Sequence, residues 1–271
     1  MGRRTEHPIL NTLINLTSRR LITALALFIG TGLLIILTNL QSSYGLTKIP
    51  KDVYSDLIIS LPTSSSPKPH PLPPTLARWR DSTNSGDYFS QVRTTPVGYL
   101  VWSQFPVRVY VESPKAVSEK QAQAWVNGVL HGVQEWSTYL PLIVVEQPKI
   151  ADITIVPKAP PLQISPGSNI PRARSAQTTY ELYTSNNVLS HRFSILLSPS
   201  QTGEYIQAAA RHEFGHALGI WGHSPLQTDA LYFSQVRNPS PISARDVNTL
   251  KRVYEQPTSL GWSLVDNSKM N

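Results

Sequence analysis

The 271-residue chain contains no cysteine. That excludes a disulfide scaffold, cysteine-ligated zinc, an iron–sulfur cluster, a cysteine nucleophile and thiol redox chemistry. It leaves the compartment open, since an exported protein can lack disulfides. Charge is also scarce, at 15% against 40% hydrophobic residues, a balance that excludes a disordered chain and suits a packed core. Glycine (14) is outnumbered by proline (23), so linkers and extended loops are expected. The length fits one domain with attachments or two small domains. The net charge of +7 is uneven: residues 1–50 hold five basic residues and one acid, whereas 76–271 hold 17 and 14. The thin excess in the larger part argues against nucleic-acid binding.

The N-terminal excess flanks a hydrophobic run. Residues 21–40 read LITALALFIGTGLLIILTNL, without a charge. As a helix this run is about 30 Å long, the thickness of the hydrocarbon core. Arg3, Arg4, Arg19 and Arg20 precede it, which places the N-terminus in the cytoplasm and the rest of the chain across the membrane. A cleaved signal peptide is the alternative. The run is longer than such a region and no small-residue cleavage site follows it, so an uncleaved single-pass signal anchor is the favoured reading. The expected organisation is a basic cytoplasmic segment (1–20), a transmembrane helix (21–40), a Pro/Ser-rich stalk (41–75), a globular domain (76–262) and a tail (263–271). The stalk assignment rests on LPTSSSPKPHPLPPT at 61–75, whose six prolines favour extended polyproline-like structure.

Periodicity within the domain predicts a strand at Val107–Val111 and a helix over 118–139. The helix is opened by Ser118 with Gln121 three residues on. Its apolar stripe includes Trp125, Val129, Val133 and Trp136. Strands are expected at 142–145 and 153–156, and a long proline-rich connection at 157–174. A hairpin is expected from 178–184 and 192–197, turning at Ser185-Asn186-Asn187. Two helices follow, over 203–218 with Thr202 as candidate cap, and over 243–254 from Ser243 with Asp246 at the third position.

The chemistry lies in residues 212–224, HEFGHALGIWGHS. His212 and His216, four apart on a helix, put both imidazoles on one face within reach of one metal ion. Glu213 lies beside them and can approach a metal-bound water without being a ligand. Gly219 can end the helix and turn the chain, bringing His223 back. Three neutral histidines and one open position suit a catalytic zinc ion, Zn2+. The other histidines fall outside the motif. Between 224 and 254 there is no glutamate to serve as a downstream ligand, and Asp229 and Asp246 read as turn and capping residues.

These residues resemble the zinc helix of the metzincins, and HEFGHALG followed by His-Ser is most similar to the matrixin branch. ADITIV at 151–156 resembles the matrixin third strand, 118–139 the first helix, and SARDVNTLKRVY at 243–254 the last. The resemblance covers about 100–256. It implies an α+β, metzincin-like domain with a mixed, mostly parallel sheet of about five strands and three main helices. With the N-terminal segment, it is preceded by one transmembrane helix. The chain departs from the family twice. The third histidine, His223, comes one residue late, which a bulge at Gly222 can absorb through the conformational freedom of glycine. Leu231 stands where the family places a methionine in a tight turn below the zinc, and its similar volume can keep the packing role. The family's cysteine switch is impossible here.

The expected activity is that of a membrane-anchored, extracytoplasmic zinc endopeptidase, hydrolysing peptide bonds through a zinc-bound water with Glu213 as general base. The resemblance implies that a protein or peptide substrate adds along an edge strand, here about 177–183, with 232–236 walling the pocket beyond the scissile bond. The alternatives are an inactive metzincin-fold binding module and a zinc amidase acting on cell-wall peptides. The sequence leaves the oligomeric state open. YFSQVR occurs twice, at 88–93 and 232–237, which raises the expectation that the first copy occupies or regulates the site near the second.

Overall fold

In the computed structural model, the described residues are 66–164 and 171–264. The basic segment, the transmembrane run and residues 41–65 of the stalk lie outside them, as does most of the tail. No helix among the described residues is long and apolar enough to cross a membrane.

The alternation read at 107–111 becomes strand β1 (Val107–Val111), with Val107 and Val109 fully buried. The exposed Arg108 between them forms a two-point ion pair with Asp152. Helix α1 (Pro74–Arg78) lies upstream, and helix α2 (Glu119–Trp136) follows β1. Ser118 and Gln121 cap α2 reciprocally, as the spacing predicts. Strands β2 (Leu142–Val144) and β3 (Ile153–Pro157) both pair parallel to β1. Parallel pairing requires a long crossover, which α2 supplies between β1 and β2.

The hairpin is longer than its periodicity indicates, with β6 (Ala176–Ser185) and β7 (Val188–Leu197) ten residues each. Asn186 and Asn187 both have positive φ, as a two-residue hairpin turn requires. The proline-rich connection is not wholly irregular. It contains a small antiparallel pair, β4 (Gln163–Ile164) with β5 (Pro171–Arg172), too short to leave a periodic signal. The main sheet has the order β2-β1-β3-β7-β6, parallel except for β6. This is the mixed, mostly parallel five-stranded sheet expected, and β6 is an edge.

The three main helices are α2, α3 (Glu204–Ala217) and α4 (Ala244–Tyr254). Thr202 does not cap α3. Gly203 occupies the cap position at φ 57, without a side-chain hydrogen bond. Ser243 and Asp246 form the capping box of α4. Helices α2 and α3 approach closely because α2 carries glycines four residues apart. A Cβ at Gly132 would lie 2.6 Å from the Gln207 carbonyl oxygen, and one at Gly128 would lie 3.0 Å from Ile206. The crossing is locked by Trp136, whose indole N–H donates to the Arg211 carbonyl, and by the Arg211–Glu135 ion pair at 2.5 Å.

Residues 66–73, read above as part of the stalk, belong to this packed unit. Lys68 and Thr258 exchange backbone hydrogen bonds of 3.1 Å. His70 bonds the Leu260 carbonyl at 2.7 Å and stacks on Trp262. The extended backbone that prolines favour is the conformation that a chain needs in order to lie along another segment.

One core residue carries a cost. His191 on β7 is buried, stacks on Trp102 at 4.0 Å, and leaves its Nε2 without a partner. Burial pushes its pKa down from 6.5 to about 3, against a small opposing effect of Asp152. The stability it permits is therefore complete above pH 6.5 and is lost as pH falls toward 3. From this group alone, unfolding free energy is expected to fall by about 2 kcal/mol between pH 7 and pH 5. Urea titrations at the two pH values should show a smaller fall in His191→Phe.

Candidate metal centre

The site is built on the last turns of α3, whose inner face carries Ile206, Ala210, Phe214 and Ala217 into the core. His212 and His216, one turn apart, bring their Nε2 atoms to 3.2 Å. The nitrogen on the far side of each ring faces a carbonyl: His212 Nδ1 meets Ala230 at 2.9 Å and His216 Nδ1 meets Ile220 at 2.8 Å. A carbonyl only accepts, so both Nδ1 atoms carry the hydrogen and both Nε2 atoms present lone pairs. Two lone pairs at that separation repel unless they share a cation. A tetrahedral ion with Zn–N bonds of about 2.05 Å would place two nitrogens about 3.4 Å apart, close to the distance observed.

His223 completes the group. Its ring centroid lies 5.3 Å from that of His212 and 4.8 Å from that of His216. All three ligand atoms fall within 4.8 Å of one another, so the cluster could hold a metal ion. His216 is buried and His223 exposed at the rim. Burial, then the charges of His223 and His212, holds His216 well below the ordinary histidine range. Although solvent reaches part of its surface, His223 is set deep enough for burial to dominate its shift to about 3. His212, Arg93 and Arg174 add to that shift. Both rings are therefore neutral at physiological pH, the state a metal ligand requires.

The late third histidine is accommodated as follows. Gly219 takes φ 124, and a Cβ there would lie 2.6 Å from the Leu100 carbonyl. Two successive tight turns follow, Trp221 N–H to the Gly219 carbonyl and Gly222 N–H to the Ile220 carbonyl, and they absorb the extra residue. Gly222 serves in a way the sequence does not indicate. Its φ lies outside the left-handed region, and glycine is needed there because a Cβ would overlap the Gln91 backbone carbonyl.

That contact explains where the two YFSQVR copies sit. The first forms a 3-10 turn at Phe89–Gln91 and backs the histidine loop, with Arg93 N–H donating to the Trp221 carbonyl at 3.1 Å. The second pairs with the end of the loop through the Ser224–Tyr232 bridge. In the first copy Tyr88 is buried and donates to Asp246. In the second, Tyr232 is half-buried. Identical residues thus support one loop by different contacts.

Leu231 lies fully buried beneath the motif. A Cβ at Gly215 would lie 2.7 Å from its Cδ2 and 3.0 Å from Trp136, so the glycine within the motif exists to receive these two side chains. The turn is held by Asp246, which accepts from the N–H groups of Ala230 (2.8 Å), Leu231 (3.3 Å) and Ser243, and from the Tyr88 hydroxyl at 2.5 Å. Asp229, beside it, accepts from Ser224, Ser243 and Arg245. Both acids are buried and do far more than turn or cap. Their number of partners is invisible in sequence, although a capping aspartate followed by an apolar stripe is the available signal.

Glu213 sits next to the cluster, half-buried. Thr178 on β6 places its hydroxyl 2.6 Å from Glu213 Oε2 and 3.1 Å from the Glu213 carbonyl. Sequence reasoning missed Thr178, since nothing distinguishes it from other strand threonines. The expected rim, 177–183, lies wholly within edge strand β6. Tyr232 and the exposed Phe233 follow the turn, with ring centroids 4.4 Å apart. No family model matches the chain, and no curated protein matches it.

Replacing Gly222 by Ala should displace the histidine loop from the Gln91 carbonyl and weaken binding of a divalent metal ion by at least about tenfold. Competition with a chromogenic chelator would read this. An unchanged affinity in a folded variant would show that the close approach does not position His223.

Proposed function

We propose that the chain is a zinc-dependent endopeptidase of matrixin-like type, tethered to a membrane by residues 21–40, with its catalytic domain on the extracytoplasmic side. The observation that carries this reading is the pair of His212 and His216 Nε2 atoms at 3.2 Å, with His223 completing a group that could hold a metal ion and Glu213 next to His212 on the same helix. The donor set fits zinc: three imidazoles, two of them with Nδ1 held by carbonyls, and no thiolate. His212, His216 and His223 would hold the ion. Zinc in such a set supplies Lewis acidity, which acidifies water and polarises a carbonyl.

The chain's own groups then divide the remaining work. The Thr178 hydroxyl occupies Glu213 Oε2 and fixes the plane of the carboxylate, directing Oε1 to proton transfer. Glu213 removes a proton from the attacking water as the new C–O bond forms. It passes that proton to the amide nitrogen as the C–N bond breaks, so the amine leaves neutral. The unpaired side of β6 presents backbone N–H and carbonyl groups to an extended peptide, holding it without regard to side chain. An endopeptidase needs that tolerance.

The Glu213–Thr178 contact favours an enzyme over a binding module, because a site that only binds has no use for an oriented base. The test is cleavage of an unfolded protein by the zinc-loaded chain, beside Glu213→Ala. Loss of a general base should lower turnover by about 10²- to 10⁴-fold, and a chelator should abolish it. A chain that binds one zinc yet cleaves neither unfolded protein nor cell-wall peptides at any rate above Glu213→Ala would overturn the reading.

A further inference from the structure

The chain holds six tryptophans, and five of them spend the indole N–H inside the protein. Trp79 donates to the Asn248 side chain, Trp102 to the Ala217 carbonyl, Trp125 to that of Ser198, Trp136 to that of Arg211 and Trp262 to that of Lys68. Trp221 is the exception. It is half-buried, and its N–H meets no acceptor among the described residues. The one buried side-chain donor or acceptor left without a partner there is His191 Nε2, so the Trp221 N–H keeps access to solvent. Trp221 also falls in the stretch that makes the histidine loop one residue longer than the pattern it resembles.

The ring itself lies between the metal centre and the sheet edge. It meets His216 edge to face, with centroids 6.0 Å apart, and Tyr180 of β6 at 5.3 Å, nearly perpendicular. Tyr180 is two residues along β6 from Thr178, the contact of Glu213. The hairpin register shows how this edge faces. Phe193 N–H donates to the Asp152 carbonyl, away from β6. Opposite residues of an antiparallel pair aim their backbone groups together or apart, alternating along the strand. Phe193 is opposite Tyr180 and Ile195 is opposite Thr178, so the Thr178 N–H and carbonyl point away from β7. Thr178 thus turns its side chain to Glu213 and its main chain to the edge where an extended peptide pairs. Such a peptide brings backbone carbonyls past Tyr180 and its neighbour, the indole. We propose that Trp221 is a peptide-binding residue, its indole N–H donating to a backbone carbonyl of the extended substrate beside the metal centre. This rests on the peptidase reading only for the docking of a peptide on β6, and that docking can be measured without cleavage.

The test uses the full chain, zinc-loaded, with unfolded, fluorescein-labelled casein as the probe. Trp221→Phe keeps an aromatic ring and removes the donor. Substituting Trp221 with benzothienylalanine keeps the shape of the indole and replaces only its N–H, so packing against Tyr180 and His216 is retained. A bond made equally in the ground and transition states is lost from KM alone, so KM should rise by about fivefold in both variants with kcat unchanged. Metal affinity, read by chelator competition, should not move in the benzothienylalanine variant. An unchanged KM in both variants would overturn the proposal and leave the peptidase reading intact. So would a fall in kcat that tracks weakened metal binding, since the ring would then only prop His216. Anisotropy of casein with zinc-loaded Glu213→Ala separates the two ideas. If the intact chain cleaves nothing, but casein binds Glu213→Ala and binds about fivefold more weakly once the donor is removed, the role of Trp221 stands and the peptidase reading falls. If casein does not bind, or binds equally with and without the donor, the role of Trp221 falls as well.

Discussion

The carboxylate of Asp246 joins the turn beneath the histidine cluster to α4 and to the N-terminal segment of the domain. Its two oxygens accept from the backbone of the turn below the histidines, from the cap of α4, and from Tyr88 in the N-terminal segment. The turn it holds supplies the Ala230 carbonyl that fixes the tautomer of His212. The same turn carries Leu231, which fills the space left by Gly215. A buried carboxylate without such partners would be unaffordable. With four donors it becomes the fixed point from which the orientation of an imidazole several residues away is set.

The rest of the fold positions α3 against that point. Glycines at 128 and 132 let α2 lie close to it, and Trp136 and Glu135 bond its Arg211. The sheet places β6 on the other side, where Thr178 meets Glu213. The catalytic candidates therefore lie between a rigid helix pair and a sheet edge, rather than on a mobile loop. Only His223 comes from irregular chain, and the two YFSQVR copies contact its neighbours Trp221 and Ser224. Precise sites are built in this way, with ligands on regular elements and each supported by hydrogen bonds behind it.

Much of this was legible before the structure. Helix stripes, capping boxes and strand alternation are local signals, and α2, α4 and β1 follow them. The spacing of His212, Glu213 and His216 is also local, since four residues on a helix fix one face. What escaped depends on contacts distant in sequence. Gly222 reads as a conformationally free residue, whereas it is a glycine because Gln91 passes behind it. Asp246 reads as a cap, because its other partners lie 15 to 158 residues away. Thr178 reads as one strand threonine among several. The proline run at 61–75 predicts extended backbone, but composition does not reveal that part of it lies against 258–262.

That strap has a temporal consequence. Lys68 and His70 close on Thr258 and Leu260, 190 residues away in each case, and Tyr88 reaches Asp246 across 158. Contacts of such long range are costly to form until intervening structure shortens the loop. The histidine motif itself is complete by residue 223, but the residues that clamp its loop and turn are not all present until α4 has been made. A chain emerging from synthesis thus carries its three histidines before it carries their supports. Assembly order gives the histidine cluster a built-in delay before it is fully supported.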